Sequence, residues 1–171
     1  GSGITGADDT LIAHGADRVY LADNPIFTPY QADAWMAVLV ETLRDLAPAA
    51  VLAGHGAVGA DLAPRLAFRL ESAAVTDCIA VTNEGGRLTF TRPCYGGKAH
   101  EVVSVNTGPA VVTLRAKSHA PAIPDEGRQG EVIVLSPDID PASIRVRIVE
   151  KRLETDDGQR LDTARVVVAG G

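Results

Sequence analysis

The run Ala49 to Gly54 (AAVLAG) is apolar throughout and passes directly into Gly54-His55-Gly56-Ala57-Val58-Gly59, after which Val58, Leu62, Leu66 and Leu70 recur at a spacing of four. A strand with no polar face must be covered on both sides, which is the condition of a strand in a parallel sheet. A glycine-rich turn opening onto a helical stripe is the corner by which such a sheet sends the chain back across itself. This segment commits the chain to an α/β architecture. The spacing predicts a helix beginning near Gly59, and Pro64, inside it, predicts either a kink or a later first turn, because its ring clashes and it lacks an N–H.

The preceding segments supply the rest of a strand–helix–strand unit. Ala7 to His14 reads as a short helix after a glycine-rich turn, and Arg18 to Ala22 (RVYLA), between Gly15 and Asp23-Asn24-Pro25, reads as a strand. Thr28-Pro29-Tyr30-Gln31 places a capping hydroxyl three residues before a Gln with Pro next to it, which predicts a helix from Pro29 to about Ala47. Trp35, Met36, Leu39, Val40, Leu43 and Leu46 form one apolar stripe on that helix. Strand, helix and strand in succession predict a right-handed crossover.

Past Leu70 the rhythm changes to period two. Ile79 to Asn83, Arg87 to Tyr95, Ala99 to Thr107 and Ala110 to Leu114 are separated by Gly85-Gly86, Gly96-Gly97 and Gly108-Pro109, so all four read as antiparallel strands. Arg115 to Gly130, rich in Pro, Lys and Asp, reads as an exposed connection. Glu131 to Leu135 and Ile144 to Glu150 are strand-like, and Lys151 to Asp162 is a charged linker. Ala164 to Gly171 (ARVVVAGG) reads as an apolar strand running into the opening of a phosphate-binding turn. The expected organisation is an amino-terminal α/β domain over 1–130, a connecting segment over 131–162, and the start of a second domain over 163–171.

Composition removes several functional classes. The 171 residues carry a net charge of −6 and show no basic cluster, which argues against nucleic acid as a partner. No apolar run approaches the roughly 20 residues of a membrane span. Cys78 and Cys94 lack any CxxC spacing, and His14, His55, His100 and His119 stand too far apart in sequence for a local ligand set, so no metal site is expected. Thr76, Asp77 and Cys78 have no basic neighbour in sequence to activate a thiol, which makes Cys78 a packed small hydrophobe and leaves no catalytic residue to nominate. Neither GxSxG nor GxxxxGK[ST] occurs. The chain opens Gly1-Ser2-Gly3 and its one methionine is Met36, so its natural start is expected upstream.

Five strings in fixed order carry a resemblance: Gly15-Ala16-Asp17-Arg18-Val19-Tyr20, then Gly59-Ala60-Asp61-Leu62-Ala63-Pro64-Arg65-Leu66-Ala67, then Thr91-Arg92-Pro93-Cys94-Tyr95-Gly96-Gly97-Lys98-Ala99, then Gly108-Pro109-Ala110-Val111-Val112-Thr113-Leu114-Arg115, and finally Ala164 to Gly171. In these the chain resembles the alpha subunit of electron-transfer flavoproteins, nearly from end to end. The resemblance implies a three-layer α/β/α domain of the adenine-nucleotide hydrolase-like class, with a mainly parallel sheet plus antiparallel hairpin strands, lacking its own first strand, first helix and second strand. The chain would end at the first strand of a second, FAD-binding domain.

The implied function is that of an electron carrier rather than an enzyme. FAD, held mainly by a carboxyl-terminal domain, would accept electrons from acyl-CoA or other dehydrogenases, as in fatty acid beta-oxidation, and pass them to a quinone oxidoreductase or another acceptor. The implied partner is a beta subunit, itself carrying AMP or a second FAD, in a bacterial cytoplasm. No cofactor-binding residue is expected in this chain. Arg92, Tyr95 and Lys98 flank the Gly96-Gly97 turn and face either the flavin edge or the partner, or are merely solvated. A competing reading is a nucleotide-binding α/β domain taking AMP or ATP at the Gly54 to Gly59 turn; the plainer account of that turn is a structural corner, with His55 a loop residue.

Overall fold

A computed structural model describes residues 1–146, 148–150, 152, 161 and 164–170. In chain order its elements are helix α1 (Ala7–Ala13), strand β1 (Arg18–Leu21), a 3-10 turn (Pro25–Phe27), helix α2 (Ala32–Leu46), strand β2 (Ala50–Gly54), helix α3 (Ala57–Arg69) and strands β3 (Ala74–Cys78), β4 (Ala80–Glu84) and β5 (Arg87–Cys94). A 3-10 turn (Tyr95–Gly97) leads to β6 (Ala99–Val103), β7 (Ala110–Leu114), β8 (Glu131–Val134) and a last 3-10 turn (Pro141–Ser143). The fold is mixed α/β, with parallel and antiparallel sheets. Among the described residues no helix is long and apolar enough to cross a membrane.

The centre of the molecule is β7. It lies between β2 and β3, parallel to both, pairing Val111 with Val51 and with Ala74 and pairing Val112 with Leu52 and with Val75. Sequence rhythm groups β7 with the hairpin strands, and this is corrected: the Gly108-Pro109 turn returns the chain to the interior of the parallel sheet. The reason is in the residues themselves. Ala110-Val111-Val112-Thr113 is buried at every position, as a strand covered on both faces must be.

Successive side chains of β7 point to opposite faces, and a separate core forms on each. On one face Val111 meets Met36 of α2 and Leu62, Ala63, Leu66 and Ala67 of α3. On the other, Ala110 and Val112 meet Val75, Cys78 and Phe90, the last from the antiparallel sheet β4-β5-β6. Phe90, Val112 and Cys78 are 0% exposed, and burying a side chain such as Phe90 or Val112 contributes about 1.5–3 kcal/mol. The antiparallel sheet packs on β3, so Leu52 of β2, on the same side as Val112, remains half exposed rather than covered on both faces as its sequence suggests.

Two helix starts differ from expectation. Helix α2 begins at Ala32, with Thr28 and Gln31 still extended and no side-chain cap from Gln31. The cap-and-proline signal is used one proline earlier, where Asn24 Oδ1 accepts from Ile26 N at 2.9 Å and Pro25 opens the 3-10 turn. Phe27 is buried there, and Trp35 takes Phe27 and Tyr30 edge-on at 6.2 and 5.6 Å, so residues 28–31 are spent reaching this aromatic cluster. Helix α3 begins at Ala57 and runs unbroken through Pro64. Tyr30 Oη donates to Asp61 Oδ2 at 2.8 Å and so ties the approach to α2 onto α3; burial and this bond push the phenol up to about 12.

Strands β1 and β2, though joined through α2, lie in separate sheets, because β1 pairs with β8 in parallel, Arg18 opposite Glu131. Strand β8 falls in the segment read as connector. The strand-like segment Ile144 to Glu150 forms no strand among its described residues, nor does Ala164 to Gly170; Arg147, Lys151, residues 153–160, Asp162, Thr163 and Gly171 lie outside the description. Val166 and Val168 are 80% and 93% exposed, and a strand without a neighbour has no ladder to hold it.

Candidate functional site at the carboxyl edge of the parallel strands

In an open α/β sheet, ligands and partners meet the chain beyond the carboxyl ends of the parallel strands. Here those ends are Gly54, Cys78 and Leu114, and each carries polar residues outward. The turn after β2 is tight because α3 starts against it: a Cβ on Gly59 would lie 2.0 Å from the Gly54 carbonyl oxygen. Only glycine lets helix and strand backbones approach so closely.

The turn is stitched to β7. His55 N donates to Leu114 O at 2.7 Å, Gly56 N donates to Gly54 O at 2.9 Å, and His55 Nδ1 lies 2.8 Å from Thr113 Oγ1. Thr113 is 0% exposed, and its hydroxyl also accepts from Asp77 N at 3.0 Å. Asp77 reaches that position because β3 breaks register with β7 between Val75 and Cys78 and Asp77 adopts φ 61. Such left-handed geometry is uncommon outside glycine but most accessible to Asn and Asp.

Arg115, the first residue past β7, closes the cluster. Its Nε and Nη2 donate to the two Asp77 carboxylate oxygens at 2.9 and 2.6 Å, and its backbone N donates to Cys78 O at 2.8 Å. Those side-chain bonds hold the Asp77 carboxyl below the usual range, against the opposing effect of burial. Burial pushes the neighbouring Cys78 thiol up, which disfavours its thiolate.

Arg92, on β5, stands opposite Glu101 on β6 with Nε 3.3 Å from Glu101 Oε1. The contact is not aligned as a hydrogen bond, so the buried Nε is left without an acceptor. Its positive charge also acts on Asp77 and Cys78, which places it beside the cluster just described. Tyr95 and Lys98 lie farther out, at the tip of the β5–β6 hairpin. Tyr95 is 83% exposed at φ 51, and Lys98 is exposed and makes no ion pair among the described residues. Of the three residues singled out by sequence, Arg92 therefore belongs with His55, Asp77, Thr113 and Arg115, whereas Tyr95 and Lys98 form a separate outward tip.

Sequence reasoning named Asp77 only beside Thr76 and Cys78 and set it aside, and it gave Thr113 and Arg115 no role. Strand β3 carries an Asp in an otherwise ordinary apolar strand, and its break in register hides the period; the one available signal was an Arg directly after the run AVVTL. The turn's own N–H groups at His55 and Gly56 are already bonded within the fold, and the aromatic ring at the hairpin tip stands alone in solvent.

Comparison with known proteins supplies the remaining context. Residues 1–140 match the family model described as Electron transfer flavoprotein domain. The chain is 36% identical over 172 residues to the electron transfer flavoprotein subunit alpha of Bacillus subtilis, covering 100% of this chain and 52% of that protein. It is 32% identical over 173 residues to the subunit of the same name from Thermoanaerobacterium thermosaccharolyticum, with the same coverages of 100% and 52%. A relative from Acetobacterium woodii named lactate dehydrogenase (NAD(+),ferredoxin) subunit LctC is 30% identical over 174 residues, covering 100% of this chain and 41% of that protein. The chain thus spans about half the length of the curated relatives it matches. A glycine-closed βα corner, a polar knot centred on the buried Thr113 and an antiparallel hairpin arm are what this sequence builds, and with the match over 1–140 the chain belongs to the electron transfer flavoprotein domain family.

Proposed function

We propose that this chain is the scaffold domain of the alpha subunit of a heterodimeric electron-transfer flavoprotein, whose FAD takes electrons from dehydrogenases and delivers them to a quinone oxidoreductase or another acceptor. Residues 1–130 form its body, 131–162 the connection, and 163–171 the opening of the flavin-binding domain. FAD is held mainly by that second domain, with AMP or a second FAD in the beta subunit, and the protein works in the bacterial cytoplasm. The flavin supplies the redox chemistry; this chain supplies a rigid wall and a docking arm.

The observation that carries the reading is the division of labour around the hairpin. Its root is held by Phe90, buried in the core, while its tip presents Tyr95, at 83% exposed, and Lys98, which makes no ion pair among the described residues. An exposed Tyr beside a cation on a rigid arm suits a protein interface. Calorimetry of the chain with the co-expressed beta subunit should give measurable association, weakened about tenfold or more by Tyr95→Ser combined with Lys98→Glu. No association, or association indifferent to these changes, removes the reading.

The nucleotide-binding alternative has one observation in its favour: the first N–H groups of α3 have no acceptor within the helix and Gly56 provides no side-chain cap. AMP and ATP titrations decide between the two, since a ligand bound by the native state alone raises the melting temperature.

A further inference from the structure

A groove of about 730 Å³ is lined by residues of α2 and α3 and by Ser143 and Arg145, and it shares no lining residue with the carboxyl edge or the hairpin tip. Met36, Pro64 and Phe68 give it an apolar floor, and Arg65, Arg69 and Arg145 stand around it with Asp33. Helix α3 packs inward through Leu62, Ala63, Leu66 and Ala67, which turns Phe68 out to 79% exposure. A single outward Phe is unremarkable on a protein surface. Here it lies in a hollow whose charges are unevenly satisfied.

Both nearby carboxylates are committed inside the protein. Asp61 accepts from Tyr30 Oη at 2.8 Å and from Arg65 Nε at 2.8 Å. Asp33 Oδ2 accepts from Arg145 N at 3.1 Å, with the Arg145 guanidinium 3.9 Å away. The Arg69 side chain makes no hydrogen bond or ion pair among the described residues, and each of the other two guanidinium groups has donors to spare beyond its one contact. In a chain of net charge −6, this is a local surplus of cation over anion around an apolar floor.

We propose that this groove docks an amphipathic, acidic segment of a partner protein, its carboxylates taken by Arg65, Arg69 and Arg145 and an apolar side chain laid against Phe68 and Met36. Guanidinium forks bind carboxylates in pairs of parallel hydrogen bonds, and Arg and Phe are among the residues enriched at interface centres. The apolar floor selects a segment over a small inorganic anion, and the charge selects acidic over basic. The inference is independent of the role assigned to the hairpin.

The test is a titration of this chain, followed by amide and methyl NMR, with a Glu-rich synthetic peptide carrying Leu at helical spacing and with its Lys-for-Glu counterpart. The expected result is salt-sensitive binding of the Glu peptide with shifts centred on Phe68, Arg69 and Met36, weakened about tenfold by Arg69→Gln and by Phe68→Ser. Neither change should alter the melting temperature, because the Arg69 side chain has no hydrogen bond or ion pair among the described residues and Phe68 is outside the core, so lost binding is read separately from lost folding. Absence of shifts, an equal response to the Lys peptide, a response elsewhere on the molecule, or self-association that masks Phe68 without peptide would each overturn the proposal.

Discussion

The carboxyl edge of the parallel sheet and the tip of the hairpin arm carry the same kinds of residue, cations beside polar or aromatic groups, yet they are built in opposite ways. At the edge, Asp77, Thr113, His55 and Arg115 bond to one another and to backbone, and the shared hydroxyl of Thr113 is 0% exposed. At the tip, Tyr95 is 83% exposed and Lys98 has no ion pair among the described residues. Groups that satisfy one another fix a shape. Groups left unsatisfied on a rigid support are free to meet something else, and the contrast separates framework from contact surface without reference to any ligand.

The comparison is broken most forcefully by moving the framework. Gly59→Ala puts a methyl 2.0 Å from the Gly54 oxygen, and since that atom is backbone, α3 must shift as a whole. A loss of more than about 3 kcal/mol in denaturant unfolding is expected, at the top of the range for overpacking. Unchanged stability would mean that the corner is looser than described.

Thr113→Val is the next largest. The substitution keeps volume but leaves the Asp77 N–H without its acceptor and His55 without its tether, at a cost of about 1–3 kcal/mol by the same measurement. Retained stability would show the polar knot to be dispensable.

Asp77→Asn sharpens the comparison through pH. The folded-state pKa of Asp77 is depressed, so its stabilising contribution is present above the unfolded carboxylate value of about 3.9 and is lost as pH falls through the lowered folded value. Asn tolerates the left-handed backbone, so the variant removes charge with little change of shape. It should be less stable at neutral pH by under about 1 kcal/mol, the pair being partly open to solvent, and its stability should fall less steeply with acid. The smallest effect belongs to the tip: Tyr95→Ser should leave thermal stability within about 0.5 kcal/mol of the parent, and a larger loss would show the tip to be framework after all.

The strand–turn–helix corner was legible because AAVLAG running into HGAVG admits few backbone solutions, and β4, β5 and β6 were legible because Gly85-Gly86 and Gly96-Gly97 mark their ends. Strand β7 was misplaced for the converse reason. Gly108-Pro109 looks like another hairpin turn, and whether AVVTL pairs with its predecessor or inserts between β2 and β3 is decided by long-range pairing that no local pattern carries. The start of α2 was misread because Asn24-Pro25 and Thr28-Pro29 offer the same cap, and only the packing of Phe27 and Tyr30 on Trp35 chooses between them. Of the edge residues, Arg92 was visible within an unusual string, whereas Asp77, Thr113 and Arg115 become a group only once three strands end side by side.

The hydroxyl of Thr113 has a single hydrogen. One of its lone pairs is taken by the Asp77 N–H, and the ring nitrogen Nδ1 of His55, at 2.8 Å, is the remaining partner for that hydrogen among the described residues. When the hydroxyl donates to that nitrogen, the neutral imidazole carries its own hydrogen on Nε2. The buried threonine thereby anchors one nitrogen of a half-exposed ring, and in that arrangement the ring turns an oriented N–H donor toward whatever settles over the glycine corner.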